Sequence, residues 1–258
     1  MSVTRNWREP VDAPAHALQR HEIAMRYLAR NENFQAEYAA ALGDVESGIT
    51  TADDVTTWLI ASWGLSYPVD PNAPHDMSRI HVQPALSPVT LELTDTPASP
   101  SPHDSITPAN LGLPHHCLQC GDIQHLILAN AAGDIRVTLS CGNDGPLGLQ
   151  LPLDRDLHVR LAATERLRRH ISGLACGPPP LLLTHLKQQR LLVMLRAWDG
   201  RASGASAREL AAVLIDARVA SYGAALWSDS RQRRQIGRWL SDARKLIYGG
   251  YLSLLRGE

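Results

Sequence analysis

Apolar positions recur at helical spacing through roughly the first sixty residues, alternate in the middle of the chain, and return to helical spacing near the end. In HALQRHEIAMRYLAR, Leu18, Ile23, Met25, Tyr27 and Leu28 fall at mixed helical spacing. In NENFQAEYAAALGDV, Phe34, Tyr38 and Leu42 recur at i, i+4 and i+8, which makes one apolar stripe. TTADDVTTWLIASWG predicts a third helix. Thr50 or Thr51 caps it, Asp53 and Asp54 occupy its first turn, Val55, Trp58, Leu59 and Ser62 share a face, and Gly64 ends it. Trp58, Trp63 and Trp198 lie on apolar faces and are expected in the core.

The prolines of YPVDPNAPHD stop this pattern, because each removes a donor and restricts its predecessor. PVTLELT (88–94) alternates and predicts a strand, and DTPASPSPHDSITPAN (95–110) reads as a linker. IQHLILAN (123–130), DIRVTLS (134–140) and LGLQLPL (147–153), parted by turn residues, predict a three-stranded antiparallel meander. A helix over 155–173 follows, then a break at CGPPPLLL (176–183).

Three helical stretches complete the chain. The first, 184–200, places Leu186, Arg190, Val193 or Met194, and Ala197 on one face. The second, 206–216, opens with a capping box of Ser206 and Glu209. The third, 228–250, is capped by Ser228, Asp229 or Ser230 and leaves through Gly249 and Gly250. Residues 217–228 between the last two form a short helix of their own or extend the first. The fold class that results is α+β. It has an N-terminal helical domain (1–75), a Pro/Ser-rich linker carrying one candidate strand (76–112), and a small antiparallel β-meander joined to a C-terminal helix-turn-helix domain (113–258).

Charge adds a division that hydropathy does not show. The net charge of the 258 residues is −1, yet residues 181–258 hold 13 Lys/Arg against 6 Asp/Glu, while residues 1–180 hold 12 against 20. A basic end on an acidic chain seeks polyanions. With 44% hydrophobic and 20% charged residues, no basic start before an apolar run and no apolar stretch of spanning length, the expected setting is cytoplasmic, with no membrane partner.

The basicity is organised. With Ile236 at zero on a helical wheel, Leu240, Ala243 and Ile247 fall within roughly 40° and Trp239 sits at the edge. Arg231, Arg234, Arg238, Ser241, Asp242 and Lys245 collect opposite, flanked by Arg233 and Arg244. A helix of about 18 residues spans roughly 27 Å, enough to cross a major groove and reach phosphates on both walls. A surface helix can carry such a face merely as a solvated one, or use it to dock an acidic protein. Against mere solvation, the stripe holds one acid, Asp242, and few i, i+4 partners.

HHCLQC (115–120) suggests other chemistry. Cys117 and Cys120 have C-x-x-C spacing, with His115 or His116 as a third ligand and Cys141 as a fourth. A strong zinc signature has a second paired motif, and Cys141 stands alone, so the stretch is read as a loop with two thiols and no metal is expected. Gly121 stands where haem attachment needs a histidine. No nucleophile elbow, P-loop or dinucleotide fingerprint occurs, so neither enzyme activity nor a cofactor is expected.

LLVMLRAWDGRASGASARELAAVLI and WSDSRQRRQIGRWLSDARKLIYGGYLSLLRG resemble the C-terminal helix-turn-helix DNA-binding domain of a proteobacterial family of transcriptional regulators. The shared features are the GASxRExA cap, Trp227 before the basic helix, and the ARxLxxGGYxxLL ending. MRYLARNENFQAEY and WGLSYPVDP (63–71) resemble the regulator-like domain that accompanies it. The resemblance implies a transcription activator of excision and transfer genes on an integrative and conjugative element, or an antiactivator relative. It also implies a double-stranded DNA partner for Arg231, Arg233, Arg234, Arg238, Ser241, Arg244 and Lys245. Another regulator or RNA polymerase is the candidate protein partner, and a homo-oligomer is compatible with it.

Overall fold

Three helices open the main body of the chain: α1 (Arg20–Leu28), α2 (Glu32–Glu46) and α3 (Ala52–Trp63). The computed structural model describes residues 6–9, 18–66, 79–96, 105–142 and 144–257. Asn31 caps α2, accepting from the amides of Asn33 (3.0 Å) and Phe34 (3.3 Å). Thr51 caps α3 by accepting from the Asp54 amide at 3.1 Å. Gly64 ends α3 with φ +80°, a left-handed value that favours glycine. The buried face of α3 is Val55, Thr56, Leu59 and Ile60, whereas Trp58 is 48% exposed. The expected face is therefore rotated, because the core meets α3 along the 55/56/59/60 seam. Trp63 and Trp198 pack half-buried against that core.

Two short strands, β1 (Leu65–Ser66) and β2 (His81–Val82), pair antiparallel after α3. The main sheet has five strands: β3 (Thr90–Asp95), β4 (His116–Cys120), β5 (Ile123–Leu128), β6 (Ile135–Ser140) and β7 (Leu147–Gln150). Their order is β4-β5-β6-β3-β7. The three-stranded meander is thus corrected. β5 and β6 pair antiparallel as expected, but β7 pairs with β3, which lies between it and β6 and runs parallel to β6. The strand expected within the linker is central to the sheet, held there by Leu91 and Leu93, which are 1% and 4% exposed. HHCLQC, read as a loop, supplies the edge strand β4. The Pro/Ser-rich stretch 97–104 lies outside the described residues.

β6 shows why the sheet is covered on both faces. Ile135, Val137 and Leu139 face α4 (Leu157–Ile171), joining Leu91, Leu93, Ala163 and Leu167 in one cluster. Arg136 and Thr138 alternate to the other face, where the Arg136 guanidinium donates to His21 of α1 (2.8 Å) and to the Ile80 carbonyl (3.1 Å).

After α4 come α5 (His185–Ala202), α6 (Ala207–Leu214), a 3-10 turn (Ala217–Ser221), α7 (Ala224–Asp229), α8 (Arg231–Lys245) and α9 (Tyr251–Arg256). Residues 217–228 accordingly build the 3-10 turn and a short helix of their own. Of the helix expected over 228–250, the regular part is α8; it loosens from Leu246 to the Gly249-Gly250 exit, where Gly249 has φ +123°, and α9 follows beyond it. On α5 the buried positions are Gln188, Leu191, Met194, Leu195 and Ala197, while Leu186 is 77% exposed, so the face drawn through Leu186 and Arg190 is corrected too.

The two helical ends of the chain share one core. Ile23, Tyr27, Leu28, Phe34 and Leu59 pack with Leu191, Met194, Leu195, Ala243, Ile247, Tyr251 and Leu254. The Tyr27 hydroxyl donates to the Leu191 carbonyl (2.9 Å), and the Tyr251 hydroxyl donates to that of Trp63 (2.7 Å). Arg30 forms a two-pronged pair with Asp199 at 2.7 and 2.5 Å.

Candidate nucleic-acid interface

α8 is positioned by two cores. Toward its start, Ile236 packs with Leu210 and Ala211 of α6, Val219, and Trp7 from the N-terminal segment. Trp7 is 4% exposed, and Arg196 holds its carbonyl at 2.9 Å. Toward its end, Ala243 and then Ile247 enter the core shared with α1 and α9. Trp239 packs against both. The apolar seam read from the sequence is the seam observed. Ser230 is the cap, its hydroxyl accepting from the Arg233 amide at 3.2 Å. α6 opens with the expected capping box of Ser206 and Glu209. α8 has 15 residues, about 22 Å of helix and shorter than expected, because the chain unwinds from Leu246 to Gly250.

The opposite face carries the cations. Arg231, Arg233, Arg234, Arg238, Ser241, Arg244 and Lys245 are all exposed. Arg233 donates to the Ser228 carbonyl (3.2 Å) and Arg234 to that of Asp229 (3.1 Å), so both guanidinium groups lean toward the helix start while keeping other donors open. Arg244 lies 6.0 Å from the Tyr248 ring centre. Among the described residues none of these cations forms an ion pair. Asp242, the one acid of the stripe, is turned to Arg190 of α5 at 3.4 Å. The row is thus solvated and free of ion pairs, with Asp216 acting on Arg231 only through a longer-range attraction, and it sets up a positive potential along one side of the helix.

Arg190 was missed by sequence reasoning, which placed it on the apolar face of α5. It lines a groove of about 590 Å³ between α5, the end of α6 and α8, with Leu186, Val193, Leu214 and Trp239 as its apolar wall and Arg238 on the α8 side. Trp7 was also missed; an isolated tryptophan 190 residues from its partners leaves no periodic signal.

The sulfur residues do not converge. Cys117 and Cys120 sit three apart on β4, so their side chains leave opposite faces, Cys117 exposed and Cys120 half-buried against Thr57 (3.1 Å). Burial, then the Asp53 charge and Cys141, push the Cys117 thiol up; for Cys120 the same causes outweigh the Thr57 hydrogen bond. His115 donates its amide to Ile127, and Cys141 lies just past β6 with its amide on Asp122. Among the described residues no group of three or more His, Cys, Asp or Glu could hold a metal ion. His116 instead shares a hydrogen bond with His81 at 2.8 Å. Burial holds His21 and His81 well below the usual histidine range, helped for His21 by the Arg136 charge and for His81 by His116.

Among the described residues no helix is long and apolar enough to cross a membrane. Residues 6–68 match the model of the proteobacterial transcriptional regulator-like domain. Residues 150–256, from the end of β7 through α9, match the model described as T6SS, transcription factor, DNA binding domain. No curated protein matches the chain. The exposed cationic face of α8 falls inside the second match, and the helices that brace it from α1 to α3 fall inside the first. The chain therefore carries a domain similar to the proteobacterial transcriptional regulator-like domain and one similar to a transcription-factor DNA-binding domain, which together support a DNA-binding transcription regulator.

Proposed function

We propose that the protein binds promoter DNA by laying α8 in the major groove, as the second helix of a helix-turn-helix whose first helix is α6. Arg231, Arg233, Arg234, Arg238, Arg244 and Lys245 contact phosphates and fix the register. Other side chains near the helix start, together with Ser241, read base edges. Residues 215–230 take the place of the usual short turn, as a 3-10 turn and α7. One observation supports this most: six exposed cations on one helix, none in an ion pair among the described residues. The genes in question are excision or transfer genes of an integrative and conjugative element, which the protein activates. Chromatin immunoprecipitation with sequencing tests this. Enrichment at such promoters supports the assignment, and enrichment confined to T6SS promoters or absent from promoters contradicts it.

The groove beside Arg190 favours a second reading, an antiactivator-like module. Its apolar wall of Leu186, Val193, Leu214 and Trp239, with Arg190 and Arg238, suits an acidic amphipathic segment of another regulator or of RNA polymerase. Binding of nuclease-treated, purified RNA polymerase that Leu186→Asp abolishes, with no DNA binding, would favour it.

A further inference from the structure

Gly237 sits midway along α8 and on its exposed side. Glycine is costly there, because it loses more backbone freedom on folding than any other residue and is poorer than alanine in a helix interior. Nothing inside the protein requires it. Its φ is not left-handed, and a Cβ built at 237 would meet no atom within 4 Å. The buried helical glycine differs. At Gly200 of α5 a Cβ would lie 2.5 Å from Leu210 and 2.8 Å from Trp7, so close packing of α6 and the N-terminal segment explains that glycine. Gly43 of α2 also faces open space, but it lies in the last turn of a helix that carries Glu32, Glu37, Asp44 and Glu46.

The surface neighbours of Gly237, one turn away, are Arg233, Arg234 and Ser241. Arg238 follows it directly, and Arg244 lies two turns on; all of them are exposed. Gly237 lies about 100° round the helix from Ile236, on the flank of the cationic face, and its missing side chain leaves a recess there. Helix backbone forms its floor, with Arg233 and Arg244 to one side and Arg234 and Ser241 to the other.

We propose that the DNA duplex seats in this recess, against the α8 main chain at Gly237, so closely that no side chain fits between them. The surrounding arginines then reach past the contact to phosphates on either side. The proposal rests on the DNA-binding reading, and it adds that close approach of the helix backbone, besides charge, sets the docking distance.

Three variants of the full chain test it: Gly237→Ala, Gly237→Gln and the matched Gly43→Ala. Melting temperature is measured alongside affinity for a mixed-sequence duplex of about 25 base pairs at low salt, where nonspecific binding is strong enough to read. Gly237→Ala and Gly43→Ala should each raise the melting temperature by about 2–4 °C. Gly237→Ala should weaken DNA binding about tenfold, a loss of one contact's worth, and Gly237→Gln more. Gly43→Ala should leave binding unchanged. A drop in melting temperature for Gly237→Ala would overturn the proposal, since the glycine would then serve the fold. Unchanged binding by Gly237→Ala, with binding lost in Arg234→Ala/Arg238→Ala, would overturn it while leaving the DNA-binding reading intact. If that arginine pair has no effect either, both fail.

Discussion

α2 and α8 are both 15-residue helices, each held by a narrow buried seam and each exposing the rest of its circumference. On α2 the seam is Phe34 and Ala41, and the exposed side carries acids; Glu37 accepts from the Trp63 indole at 2.7 Å. On α8 the seam is Gln232, Ile236 and Ala243, and the exposed side carries cations that form no ion pair among the described residues. The two helices are attached in the same manner, so attachment does not distinguish their roles. The sign of the free face does. The regions are also linked: the Asn31 side chain that caps α2 donates to the Ile247 carbonyl, just beyond α8, at 3.2 Å.

Substituting the seams should abolish the contrast. Phe34→Ala is expected to cost about 3–5 kcal/mol and Ile236→Ala about 2–5 kcal/mol of stability in denaturant unfolding, with neither acting first through charge. A cost below about 1 kcal/mol at either position would mean that the seam does not hold that helix. Substituting the faces should separate the helices. Arg234→Ala/Arg238→Ala should leave stability within about 0.5 kcal/mol yet lower DNA affinity by roughly a hundredfold, whereas Glu32→Gln/Asp44→Asn on α2 should leave affinity unchanged or slightly higher.

Acid should weaken the fold from a third place, the layer where His21 of α1 and His81 of β2 meet the main sheet. His21 and His81 are depressed in the folded protein by burial. Their neutral forms therefore stabilise the fold above the unfolded value of about 6.5, and that contribution is lost as pH falls below it, at up to about 1.4 kcal/mol per pH unit for each. Unfolding followed from about pH 7 to pH 5 should show this loss, and His81→Gln should flatten it. The smallest effect is expected at Arg190→Gln. The exposed pair with Asp242 is worth well under about 1 kcal/mol to stability, and freeing the Asp242 carboxylate should weaken DNA binding a few-fold at most.

The helices were largely legible because their period survives in one sequence. The Phe34 stripe, the Ser206 capping box and the Ile236 seam are local, so 3.6-residue spacing and cap chemistry reveal them. The sheet was legible as strands but not as an order. That β3 enters between β6 and β7 depends on pairing across more than forty residues, and no period of two records it. HHCLQC has metal-ligand spacing yet reads as a loop with two thiols; it is an edge strand, and that was not visible because its pairing partner β5 decides it. The basic face of α8 was visible as a wheel, and its exposure is what the fold adds. Trp7 and Arg190 were not visible, since each acquires its place from a distant partner.

The most direct measurement is the affinity of the full chain for duplex DNA as a function of salt. If the α8 row grips phosphates, the logarithm of the association constant should fall linearly with the logarithm of salt concentration, with a slope of about −3 to −5 for four or five neutralised phosphates. Arg234→Ala/Arg238→Ala should make that slope shallower by about 2. A flat dependence, or a slope that the paired substitution leaves unchanged, would contradict it.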